Sequence, residues 1–169
     1  MVRLFLVLGW GNRSRGDDAL GPLLIEQLAL RLGADLLEWV EFLEDYQLQV
    51  EHALDLCERQ QVLFVDASVE CAGPYAVSQV QARRDASCST HAMSPQAVLE
   101  VYREVQHCDP PACTLLVLRG ERFELGEPPR VAARKHLAQA LEWALSWVHT
   151  ILASALATGA GPCLAVNST

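Results

Sequence analysis

The chain has 169 residues, enough for one domain that buries roughly two-thirds of the surface its unfolded form would expose. Thirteen Lys and Arg against 21 Asp and Glu leave a formal charge of −8. With no basic cluster, that balance excludes a binder that tracks nucleic-acid phosphates and suits a basic partner or a divalent cation instead. The six cysteines form no CxxC pair and no signal-peptide pattern precedes the first apolar run, so a cytoplasmic protein with reduced thiols is expected.

Residues 4–8 are an unbroken apolar run, which predicts a strand buried on both faces at the centre of a parallel sheet. A loop should follow, with Gly9 and Gly11 turning the backbone and Asn12 capping its own turn. Gly16 then leads to two adjacent carboxylates, Asp17 and Asp18, at the expected start of a helix over residues 19–32. One acid suffices to satisfy the free amides there, so the second needs another explanation. Its place beyond the carboxyl end of a central strand is where open α/β sheets bind ligands.

Further on, residues 36–43 alternate weakly as a second strand, and residues 47–57 have the spacing of an amphipathic helix. The apolar run 62–65 is a third strand that delivers Asp66 at its end. Residues 74–82 predict another strand and residues 83–92 a polar, irregular stretch containing His91. Ser94 as N-cap and Pro95 at the first helical position open a helix to about residue 106. A last buried strand spans 113–118, a loop 119–129 and a long helix 131–158, with a loose tail from residue 159. Alternating strands and helices give a three-layer α/β/α domain over residues 1–158, with a mostly parallel sheet of about five strands. In the final helix, residues 143–157 carry no formal charge, but that is short of a membrane span and His149 interrupts it. Trp143 and Trp147 lie on an arc beside its core stripe, where they either cover the core or dock a partner.

The chemistry narrows by elimination. The Gly9-x-Gly11 start lacks the third glycine of a dinucleotide fingerprint, and the double acid would repel a pyrophosphate. No Gly-Lys-Ser/Thr loop and no Gly-x-Ser-x-Gly elbow occur. What remains is Asp18, Asp66 and His91, each near an element end on one rim of the sheet. Two carboxylates and an imidazole make an open site for a borderline divalent metal. Each also has an ordinary reading: Asp18 as a helix cap, Asp66 as an acceptor for loop amides, His91 as a surface residue.

The stretch Leu8-Gly9-Trp10-Gly11-Asn12-x-x-Arg15-Gly16-Asp17-Asp18-Ala19-Leu20-Gly21-Pro22 resembles the opening of the hydrogenase maturation proteases, which trim the C-terminus of the [NiFe]-hydrogenase large subunit. Three later blocks occur in the family's order: Val62-Leu63-Phe64-Val65-Asp66-Ala67, Ser89-Thr90-His91 and Arg122-Phe123-Glu124-Leu125-Gly126-Glu127. The resemblance implies a five-stranded α/β/α fold and three metal-binding, catalytic positions at Asp18, Asp66 and His91. It makes Gly9, Gly11, Asn12, Gly16 and Asp17 loop-shaping neighbours, Asp17 by capping the helix or shaping the loop. Trp10 departs from the smaller residue expected between the glycines.

The resemblance further implies a monomeric, cytoplasmic endopeptidase, sometimes grouped with aspartic peptidases although no Asp-Thr-Gly pair occurs. Its partner would be a large-subunit precursor already carrying nickel, with no organic cofactor, no nucleic acid and no membrane. The alternative is a non-cleaving nickel-binding checkpoint module with the same ligands.

Overall fold

The structure, a computed structural model, describes residues 3–84 and 93–159. Five strands form one sheet in the order β2-β1-β3-β5-β4. They are β1 (Phe5–Trp10), β2 (Val40–Asp45), β3 (Gln61–Ser68), β4 (Tyr75–Val80) and β5 (Ala112–Arg119). The first three and β5 run parallel, and β4 joins antiparallel at the edge of β5.

Alternation along the strands sends successive side chains to opposite faces. On one face Phe5, Val7, Leu63, Val65, Leu116 and Leu118 meet α1 (Leu20–Arg31) and α5 (Val131–Ala157). On the other, Leu6, Leu8, Val62, Phe64 and Cys113 meet the short α3 (His52–Asp55) and α4 (Pro95–Gln106). The expected three-layer architecture is therefore present. Burial of each large side chain contributes about 2 kcal/mol, so the central strands stabilise the molecule from both sides.

Several boundaries differ from the sequence reading. Strand β1 runs on through Gly9 and Trp10, so Gly9 lies in a strand and not in a turn. A Cβ on Gly9 would meet the Ile25 side chain at 2.8 Å, so its smallness serves the packing of α1 on β1. Strand β2 starts at Val40 because Leu36 and Leu37 belong to a helical turn, α2 (Ala34–Leu37). The helix expected over 47–57 shrinks to one turn: Val50 and Leu54, at helical spacing, are exposed, while Leu48, Ala53 and Leu56 are buried in the core and Cys57 packs half-buried against it.

Helix α4 matches its signals, with the Ser94 hydroxyl accepting the Ala97 amide at 3.2 Å. Helix α5 is long and apolar enough to cross a membrane by length and composition, yet Leu137, Leu141, Ala144, Val148 and Leu152 are buried against the sheet. Both tryptophans pack half-buried on that same cluster, and the Trp143 ring lies 6.5 Å from that of Tyr75. This is the core-covering arrangement. Ile151, four residues after Trp147, is buried with the core stripe.

Candidate functional site

The chain leaves β1 for β2 on one side and reaches β3 on the other, so the strand order reverses between β1 and β3. Beyond the carboxyl ends of strands at such a reversal, an α/β sheet opens a crevice. Residues 11–19 fold over this crevice, ending in a 3-10 turn, Gly16–Ala19, that leads into α1. Gly11, at φ +141°, permits the close approach: a Cβ there would sit 2.0 Å from the Asp18 carbonyl oxygen. Asn12 caps its own turn as expected, its side-chain oxygen accepting the Ser14 amide at 2.9 Å.

Neither acid caps α1, contrary to the sequence reading. Asp18 points back across the loop, where its carboxylate accepts the Asn12 amide at 3.0 Å. Asp17 is fully buried, and its carboxylate accepts three backbone amides from the loop between β5 and α5: Glu121 at 2.8 Å, Arg122 at 3.1 Å and Arg130 at 2.8 Å. Gly16, at φ +54°, brings the two loops together by donating to the Glu127 carbonyl at 2.8 Å. Of the two roles open to Asp17, the structure shows loop-shaping.

Asp66 follows Phe64 by one alternation and so faces the α3/α4 side, opposite Val117 of β5. Its carboxylate accepts the amide of Ala67 at 2.8 Å. Burial, together with the nearby negative charge of Asp18, pushes this carboxyl up to about 6, against the opposing pull of the Ala67 amide and the Trp10 indole. Asp18 and Asp66 are thus brought together. His91, the third expected member, lies outside the described residues, among which no cluster of three or more metal-ligating side chains occurs. Two carboxylates whose charges oppose each other fit a divalent cation, which offsets the repulsion.

The raised Asp66 carboxyl has a consequence for stability. Its folded value lies above the ordinary value of 3.8, so the folded protein holds this proton more tightly than the unfolded chain. The stabilisation is full below about pH 4 and is lost as pH rises through about 6. Asp66→Asn is therefore expected to raise the unfolding free energy by about 2 kcal/mol at pH 7 and to change it little at pH 4. Denaturant unfolding of both proteins at the two pH values checks this.

Sequence reasoning singled out Trp10 without giving it a role, and it missed Asp45. Trp10, in register with Asp45 on β2, packs its ring edge-on to Phe64 at 6.1 Å, on the face of the sheet that also carries Asp66. Asp45 faces buried His52, with Nε2 3.4 Å from its carboxylate while Nδ1 accepts the Gln49 amide at 2.8 Å. The only signal for either in the sequence is alternation: Leu6, Leu8 and Trp10 share a parity that points to the face on which Phe64 and Asp66 lie. Two clefts flank this row. One of about 330 Å³ lies between Gly11, Asn12, Glu44 and Tyr46, and one of about 310 Å³ is lined by Asp66, Ser68, Glu70, Cys71, Ala76 and Val117.

Comparison with protein-family models and with curated proteins gives no match. Solved structures do match. The [NiFe] hydrogenase maturation protease HycI from Thermococcus kodakarensis KOD1 superimposes with a TM-score of 0.66 at 20% identity, over 86% of this chain and 92% of that one. The hydrogenase maturating endopeptidase HybD from E. coli gives 0.66 at 24% identity, over 88% and 93%. The hydrogenase 3 maturation protease gives 0.61 at 15%, over 83% and 88%. The fold is that of the hydrogenase maturation proteases.

Proposed function

We propose that this chain is an endopeptidase that removes the C-terminal extension of a [NiFe]-hydrogenase large-subunit precursor once nickel is in place. The observation that carries this reading is the meeting of Asp18 and Asp66 at the strand-order reversal of a fold shared with maturation proteases. The nickel belongs to the substrate. Asp18 and Asp66, with His91 as third member, offer it oxygen and imidazole donors while leaving positions for the precursor's own ligands.

The remaining work falls to carboxylates. Asp66 is ionised at neutral pH but binds a proton more readily than an ordinary aspartate, which suits a group that takes a proton from an attacking water. Asp17, by holding the loop of residues 120–130 against residues 14–17, keeps Asp18 in place over the crevice. The four described cysteines are all free, as suits the cytoplasmic protein we infer.

The test is the mass of the large subunit after incubation with chelator-treated protein. Nickel-loaded precursor should lose its C-terminal extension and nickel-free precursor should not. A protease with its own catalytic metal would lose activity on chelation whatever the precursor holds. Nickel-loaded precursor that is bound but unchanged in mass would instead identify the non-cleaving checkpoint module.

A further inference from the structure

The two edges of the sheet are built differently. Strand β2, Val-Glu-Phe-Leu-Glu-Asp, carries three acids and is mostly half-buried, the kind of edge that repels a further strand. Strand β4, Tyr-Ala-Val-Ser-Gln-Val, carries no charge and no proline, and Ala76 to Gln79 are exposed one after another, so neither helical layer covers them. Natural edges are normally guarded, and an unguarded one is a template for pairing with another chain.

The hydrogen-bonding sense of β4 follows from its register. The Arg119 amide donates to the Pro74 carbonyl at 3.0 Å, so Pro74 and Arg119 form a hydrogen-bonded pair of the antiparallel ladder. Alternation then turns the amide and carbonyl groups of Ala76, Ser78 and Val80 towards β5, and those of Tyr75, Val77 and Gln79 outward to the open edge. Ala76, Val117 and Asp66 stand side by side in register on three successive strands and line one cleft of about 310 Å³. The open edge is therefore continuous with the Asp66 carboxylate.

We infer that the precursor docks by adding an extended stretch of its own backbone, as a sixth strand, to the outward groups of Tyr75, Val77 and Gln79. The inference rests on the peptidase reading above, because a peptidase must hold its substrate extended and this edge leads to the candidate catalytic acid. The added strand lies three strand spacings from Asp66, on the order of 14 Å. About four extended residues cover that distance. The paired segment is thus separated from the cut bond by about four residues, which cross the cleft beside Ala76 and Val117.

Amide hydrogen exchange on the full chain, with and without nickel-loaded precursor, tests this. Exchange at Val77 and Gln79 should slow at least tenfold on binding. Val77→Pro removes one outward amide without touching the β5 ladder, and it should weaken precursor binding at least tenfold with melting little changed. Should that variant fold poorly, the exchange result on the unsubstituted chain decides. Precursor bound and shortened with both amides still exchanging freely would overturn the edge while leaving the peptidase reading intact. Precursor bound with both amides protected but never shortened would support the edge and sink the peptidase reading. Protection that appears without precursor and grows with protein concentration would show a second copy of this chain on the edge, and overturn the inference.

Discussion

Asp17→Ala is expected to lower the unfolding free energy by about 4 kcal/mol, the largest loss from any single change near the crevice. A fully buried carboxylate that accepts three backbone amides is removed, and each amide left without a partner costs about 1–3 kcal/mol. Partial rehydration of the exposed residues Glu121, Arg122 and Arg130 keeps the sum below the upper limit. Asp17→Asn should lose about half as much, since it keeps one acceptor oxygen and sets an NH2 group against amides that also donate. Asp18→Asn, with a single amide contact, should lose less than about 1 kcal/mol. Denaturant midpoints of the three variants give the ranking. Equal losses at positions 17 and 18 would refute the different roles given to the two acids.

In activity the order should reverse. Asp18→Asn, Asp66→Asn and His91→Ala are each expected to reduce precursor processing on the order of 10³-fold, the scale of a lost acid or base. Folding should survive, because Asp18 and Asp66 are only half-buried at the rim. Nickel titration by calorimetry together with a melting curve separates the two effects. Unchanged processing in all three variants would remove them from the site.

The central strands were legible because β1, β3 and β5 are apolar on both faces, and a run such as Val62 to Val65 has few alternatives in a domain of this size. Helix α4 was legible because its cap is local, Ser94 and Pro95 acting on amides within three residues. Residues 47–57 misled because helical spacing of Val50 and Leu54 says nothing of whether a surface lies opposite, and among the described residues both side chains stay exposed. At the site, the pairing of Asp18 with Asp66 could be inferred from strand ends in a parallel sheet. The separate task of Asp17 could not, since its three partners lie more than a hundred residues downstream and leave no trace in its own neighbourhood. Trp10 was noted as out of place and is explained by Phe64 and Asp66, both on a strand paired with its own.

The clasp made by Asp17 also sets a schedule for the newly made chain. Its partners stand 104 to 113 positions after it, so the segment carrying Asp18 is synthesised early and stays open until Arg130 has left the ribosome. Closing so long a loop is entropically costly and waits for the β5 strand to take its place between β3 and β4. A half-made chain therefore has its first acid but no crevice to hold it. The cutting proposed above would then arise only after the sheet is complete, and a truncated product ending before residue 120 is expected to lack it.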